Sequence, residues 1–180
     1  KFILIGGWAV FLYTHSLKSK DIDIVIDHEE FSRLKEEYQV FKNERLKKYE
    51  IKIEGVDIDI YLPYYSNPGL PAEEIKKFAV KKEGFSVPWP EVLLILKQTV
   101  FEQRKNTPKG NKDKLDIFSL ILLEEFDFKR YKNLLKKYNL FYLLKYLKSL
   151  LKETYELKEL NLSRHRTAKI KREILEKLDS

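Results

Sequence analysis

The chain has 180 residues, 43% of them apolar, 13% aromatic and 35% charged, with a formal net charge of +7. That is enough apolar material for one sizeable domain or two small ones sharing a core, and it excludes a disordered chain. Cysteine is absent, which excludes disulfides, thiolate nucleophiles and Cys-based zinc sites and matches a reducing, cytoplasmic setting.

In chain order, "FILIGG" reads as a short buried strand ending in a tight glycine turn. No initiator Met precedes it, so a segment ahead of Lys1, such as a leading helix, is expected. "WAVFLYTHS" predicts a helix, with Trp8, Phe11, Leu12 and His15 at three- and four-residue spacing. "DIDIVID" predicts the next strand, Ile22, Ile24 and Ile26 on one face and the acids on the other. "HEEFSRLKEEYQV" is an amphipathic helix carrying Phe31, Leu34 and Tyr38. "YEIKIEGVDIDIYLPYY" predicts a hairpin turning at Gly55. "SNPGLPAEE" reads as a loop and "FAVKKEGFSVP" as a further pair of strands.

Two prolines bracket Trp89 in "VPWPEV", which marks a boundary between an α/β part, 1–88, and a helical part, 89–180. Helices are expected at about 90–105, 112–124, 127–137, 139–157 and 163–178. The fold class is therefore α+β: a small mixed β-sheet core with flanking helices, followed by an α-helical C-terminal domain whose cleft with the core would hold the active site. The positive excess lies entirely in 129–180, the rest being slightly acidic. Such a tail faces a polyanion such as RNA, or is a lysine-rich solvated helix surface. The three histidines have no ligand spacing, and no apolar run reaches the roughly 18 residues of a membrane span.

Asp21 and Asp23 stand two apart on a strand, about 6.6 Å between Cα atoms and on one face. Asp57 and Asp59 repeat the device in the hairpin. If the two strands are neighbours, three or four carboxylates meet, and like charges that close raise one another's pKa. A divalent cation removes the conflict; hard oxygen ligands in a partly open arrangement suit Mg²⁺ (or Mn²⁺) taking substrate phosphates as its other ligands. The turn at Gly6 and Gly7 lets backbone approach a triphosphate at a helix N-terminus, and Lys18 and Ser19 add a cation and a hydroxyl nearby.

"GGWAVFLYTHSLKSKDIDIVI" resembles the signature of the DNA polymerase β-like nucleotidyltransferase superfamily, a Gly-Gly or Gly-Ser turn followed by an Asp-x-Asp strand. The resemblance implies a nucleotidyltransferase core in which Asp21, Asp23 and a third acid in "VDIDIYL" hold the metals that activate a nucleoside triphosphate. Asp59 is favoured as that third acid over Asp57. "PEVLLILKQTVFEQRKNTPKGNKDKLDIFSL" is similar to the later motifs of the AbiEii-type, toxin-like branch, matched at Lys97, Arg104, Lys112, Asp113 and Asp116. By that resemblance Lys97 meets the triphosphate and Asp113 sits at the catalytic centre, as a general base on the acceptor hydroxyl or to orient it. Arg104 joins the nucleotide-binding set. The physics of the helix agrees: Lys97 lies in an otherwise apolar stretch, where a buried ammonium needs an anionic partner. Lys18-Ser19 stands where the branch has Arg-Ser or Arg-Thr, replacing a bidentate fork by a point charge.

The resemblance, over about 3–124, implies transfer of a nucleoside monophosphate from an NTP such as ATP to an acceptor hydroxyl, on RNA such as tRNA or on a protein. It also implies a toxin–antitoxin setting with a cognate antitoxin as partner. Duller readings stand beside these. An Asp-x-Asp strand can be merely amphipathic, Asp113 and Asp116 can be helix N-terminal acids favoured by the dipole, and Arg104 a surface cation. Trp8 and the tyrosines at 131, 138, 142, 146 and 155 are read as packing residues rather than a base-stacking platform. The alternatives from other classes are a catalytically silent nucleotide-binding regulatory module and a non-enzymatic RNA-binding protein.

Overall fold

The computed structural model describes residues 1–179. Strand β1 (Phe2–Ile5) runs straight into helix α1 (Gly6–Thr14), so the helix begins at the glycine pair itself, two residues before the expected Trp8. Gly6 makes this junction possible with a φ of 65°, a left-handed conformation that costs a residue with a Cβ but not glycine. Strand β2 (Ile22–Ile26), helix α2 (His28–Glu37), the short β3 (Phe41–Asn43), β4 (Lys48–Ile53) and β5 (Val56–Tyr61) follow. The hairpin turns at Glu54 and Gly55, both with positive φ.

The sheet order is β1-β2-β5-β4-β3, antiparallel except where β2 and β5 lie parallel. That parallel pair needs a crossover, which α2 and β3–β4 supply. Its register sets Ile22 against Ile58, Asp23 against Asp59 and Ile24 against Ile60. Apolar and acidic residues of both strands therefore stay in phase, each set on its own face.

A short helix α3 (Ala72–Ile75) occupies part of the expected loop after Pro71, and the β6 (Ala79–Lys82) and β7 (Phe85–Pro88) ribbon follows. The helical part comprises α4 (Pro90–Arg104), α5 (Pro108–Ile121), α6 (Phe128–Lys137), α7 (Phe141–Glu153) and α8 (Arg164–Asp179). Helix α5 starts four residues before the expected 112 because Thr107 Oγ1 accepts from Gly110 N at 3.1 Å and Pro108 takes the first helical position. Helix α7 stops at Glu153, where the Thr154 hydroxyl donates back to the Leu150 carbonyl at 2.8 Å; an isolated bridge from Leu157 to Leu162 closes the turn into α8.

One apolar cluster runs from Leu4, Ala9 and Val25 through Leu93, Ile117 and Leu147 to Leu178, joining β1, α1 and β2 to the helices across residue 88. A smaller cluster of Ile26, Phe31, Ile51, Ile60 and Leu62 covers the opposite face of the sheet under α2. Helix α4 is the central strut. Its buried Gln98 donates to the Leu143 carbonyl at 3.0 Å and accepts from the Tyr131 hydroxyl at 2.7 Å, so α6 and α7 are both fastened to it. At its start the fully buried Glu91 accepts from Asp127 N at 2.8 Å and pairs with Arg130, whose guanidinium stacks on Trp89. Among the described residues no helix is long and apolar enough to cross a membrane.

Candidate active site

The parallel register makes Asp23 and Asp59 direct neighbours across β2 and β5, about 4.8 Å apart in strand spacing. Desolvation first, and then the charge of Asp59, raise the Asp23 pKa from 3.8 to about 6, even though Lys97 and Lys48 pull the other way. Asp59 is likewise raised, chiefly by burial, with Lys48 opposing and Glu50 and Asp21 adding to the rise. Tyr61, two residues on and on the same face, aims its hydroxyl at Asp23 Oδ1 from 3.4 Å. Its own pKa is pushed well up by burial and by those two carboxylates.

Gly6 lies directly against Asp23. A Cβ at Gly6 would overlap the Asp23 carboxylate, so only glycine leaves room there. Asp21, just ahead of β2, is partly exposed and pairs with Lys109 of α5 at 3.2 Å. Asp57 is open to solvent at the far end of β5, facing Lys52 at 4.0 Å. Of the two hairpin acids, it is thus Asp59 that lies beside Asp23.

Helices α4 and α5 bring the cations. Lys97 Nζ sits 3.3 Å from Asp113 Oδ1 and 2.7 Å from Asp116 Oδ2. Burial opposes its charge, but those two carboxylates outweigh it and hold its pKa above the ordinary lysine value, with Asp23 contributing. Arg104 donates through Nε to Asp113 Oδ2 at 2.7 Å. Both Asp113 oxygens are therefore held by cations, and the carboxylate is buried, an arrangement suited to orienting Lys97 and Arg104. Asp116 is completely buried; Oδ2 also pairs with Lys112 at 3.5 Å, while Oδ1 finds no hydrogen-bond donor among the described residues.

Lys112 and Ser19 flank the second glycine: a Cβ on Gly7 would stand 2.7 Å from Lys112 Nζ and 2.8 Å from Ser19 Oγ. Lys18 lies elsewhere, exposed, with Nζ 5.8 Å from the Phe11 ring centroid. Sequence reading thus named Gly6, Gly7, Ser19, Asp21, Asp23, Asp59, Lys97, Arg104 and Asp113, which the structure gathers around the junction of β2, β5, α1, α4 and α5. It did not name Lys48, Tyr61 or Lys109. Tyr61 was visible as the next same-face position after Asp59, but the two lysines reach the acids from distant segments and carry no local signal.

A divalent cation would be held here by hard carboxylate oxygens, and two observations fit it: the raised pKa values of Asp23 and Asp59, and their direct pairing across β2 and β5. Among the described residues no three His, Cys, Asp or Glu side chains are already gathered to hold a metal ion. The donors suit an ion that completes its shell with water and further oxygen ligands.

Away from this junction, residues 129–180 of the C-terminal helices carry the chain's positive excess. Tyr131 is buried and Tyr138 and Tyr146 pack on the core, while Tyr142 and Tyr155 are exposed. Tyr155, Arg164, Ala168 and Lys171 line an open cavity of about 430 Å³.

The fold is that of a nucleotidyltransferase. It resembles ANT(2")-Ia, solved in complex with adenylyl-2"-tobramycin, with a TM-score of 0.54 and 14% identity over 78% of this chain and 88% of that one. An antigenic nucleotidyltransferase-like protein from Paracoccidioides brasiliensis is also similar, with a TM-score of 0.44 and 18% identity over 67% of each chain. No protein-family model matches the chain, and no curated protein does.

Proposed function

We propose that the protein is a metal-dependent nucleotidyltransferase that moves a nucleoside monophosphate from an NTP to an acceptor hydroxyl. The observation that carries the reading is the direct pairing of Asp23 with Asp59 on parallel strands beside the Gly6 turn. Mg²⁺ or Mn²⁺ would be held by Asp21, Asp23 and Asp59 and would supply charge neutralisation at the reacting phosphate.

The chain's own residues do the rest. The first turn of α1, at Gly6 and Gly7, offers backbone N–H groups to the polyphosphate. Ser19 and Lys112 flank Gly7, and Lys97 and Arg104 face the acids from α4. Asp113 fixes the direction of both of those cations. The acceptor oxygen attacks the α-phosphorus in line as its proton passes to solvent water, the bond to the bridging oxygen breaks and pyrophosphate leaves; catalysis rests on positioning and charge.

RNA, such as a tRNA end, is the acceptor that the basic C-terminal helices favour, with a protein hydroxyl as the competitor. Two further points rest on the sequence resemblance: membership of the AbiEii-type branch, and service as the toxin of a toxin–antitoxin pair in the cytoplasm. RNA affinity falls steeply with ionic strength if phosphates are the contact. One observation favours the silent nucleotide-binding module instead: Asp21 and Asp59 are already paired with Lys109 and Lys48.

Incubating the protein with each α-labelled NTP, Mg²⁺ or Mn²⁺, and total cellular RNA and protein decides the matter. Label should enter one macromolecule and be lost in the Asp21→Asn/Asp23→Asn double variant. Undiminished transfer by that variant defeats the assignment, and NTP binding without any transfer selects the silent module.

A further inference from the structure

The first half of α8 concentrates positive charge that nothing nearby neutralises. Residues 164–172 contain Arg164, Arg166, Lys169, Lys171 and Arg172 and no acid. Among the described residues only Arg164 of these has an acidic partner, Glu156 at 3.6 Å, and Glu156 is shared with Lys158 at 3.8 Å. Glu173 and Glu176 stand one turn beyond Lys169 and Arg172 but form no ion pair with them; a lysine or arginine ahead of its glutamate is the weaker order on a helix.

Arg164, Ala168 and Arg172 are four apart and so form one row along α8, with Lys171 beside it. Arg164, Ala168 and Lys171 line the open cavity of about 430 Å³ together with Tyr155, which lies just past the end of α7. Lys171 is fixed in place: its Nζ donates to the Lys152 carbonyl at 3.1 Å and the Thr154 carbonyl at 2.6 Å, and lies 5.7 Å from the Tyr155 ring centroid. Burial, followed by the charge of Lys114 on α5, holds its pKa below the ordinary lysine value. Neither of these two lysines forms an ion pair among the described residues, so the pair is a place for an anion.

Tyr155, expected from the sequence to pack, is 78% exposed. An open aromatic ring flanked by unneutralised cations is the combination that holds a base and its phosphates. An acidic protein would need the cations but not the bare ring. Lys114 leaves α5 roughly 150° round the helix from Lys109, Lys112, Asp113 and Asp116. The cavity therefore lies behind α5 as seen from the acids, suited to the body of an acceptor and not to its reacting hydroxyl.

We infer that Tyr155, Arg164, Lys171 and Arg172 form a docking surface for single-stranded RNA, with one base stacked on Tyr155 and the adjoining phosphates along α8. The inference rests on the reading of RNA as the acceptor and adds where its body is held.

The test is fluorescence anisotropy of a fluorescein-labelled single-stranded RNA about 12 nucleotides long, titrated with the full chain in EDTA and without NTP. Folding of each variant is checked by circular dichroism. Tyr155→Ala should weaken binding about tenfold, and Tyr155→Phe should not. Arg164→Gln/Arg172→Gln should lower the slope of log affinity against log salt by about 1.4. Arg166→Gln removes a charge roughly 160° round the helix from Arg164 and should leave that slope as it was. With the same strand annealed into a duplex, whose bases are already stacked on each other, Tyr155→Ala should change nothing.

Unchanged affinity in Tyr155→Ala, an equal loss on single strand and duplex, or a slope that Arg166→Gln lowers as much per charge overturns the surface, leaving general attraction to a polyanion. No binding to the single strand overturns it as well, and label entering a protein would then give the acceptor role to that protein. Label transferred to RNA while Tyr155→Ala binds normally defeats the surface alone. The expected losses without any transfer of label defeat the transferase reading alone.

Discussion

Replacing Asp23 with Asn should stabilise the metal-free protein while removing its proposed activity. Burial, followed by the neighbouring Asp59, raises the Asp23 pKa from 3.8 to about 6. The folded state therefore holds this proton more tightly than the unfolded chain does. Between about pH 4 and pH 6 the native protein binds more protons, so its unfolding free energy falls as pH rises through that window. A displacement of that size corresponds to ~3 kcal/mol for a fully enclosed group. Water still reaches part of the side chain, so about 2 kcal/mol is the expected gain on removing the charge. Urea and thermal unfolding in EDTA, at about pH 7.5 and again near pH 3.5, test this. Asp23→Asn should raise the melting temperature by roughly 4–8 °C at the higher pH, and the gain should vanish at the lower. A variant no more stable at the higher pH, or a gain undiminished near pH 3.5, would refute the reasoning.

Lys97→Ala should cost about 3–5 kcal/mol, read from the urea midpoint, because it strips the fully buried Asp116 and the buried Asp113 of a counter-charge. Gly6→Ala should destabilise by about 1–2 kcal/mol from its left-handed backbone alone. It should weaken Mn²⁺ binding as well, since the new Cβ meets the Asp23 carboxylate. Gly55→Ala is the control: its φ is also positive, but nothing lies within 4 Å of the added Cβ, so stability should fall and Mn²⁺ binding should not.

The elements that frame the acids were legible because alternation is a local signal. Ile22, Ile24, Ile58 and Ile60 alternate with Asp23 and Asp59, which places both acids on one face before any pairing is known. What alternation cannot give is which strands are neighbours, and the parallel register of β2 on β5 is what joins the two acids. Strand β3 was missed because three residues, Phe41–Asn43, are too few to show a period. The early start of α5 has a local signal in Thr107-Pro108, a cap followed by a helix-opening proline, four residues ahead of the expected Lys112. Lys18 is adjacent to Ser19 in sequence yet extends over Phe11, whereas Lys112, far along the chain, stands beside Gly7. Proximity along the backbone was a poor guide to cations because a lysine reaches several ångströms in whichever direction its packing allows.

Lys97 and Gln98 are consecutive on α4, so their side chains leave the helix roughly 100° apart. One confronts the acids; the other is clamped by Tyr131 and the Leu143 carbonyl. The angular setting of Lys97 is thus fixed by α6 and α7, which act as a mounting that keeps the rod from rolling. Sequence drift in those distal helices would be felt as a misaimed ammonium between Asp113 and Asp116, without any change in a residue that touches it.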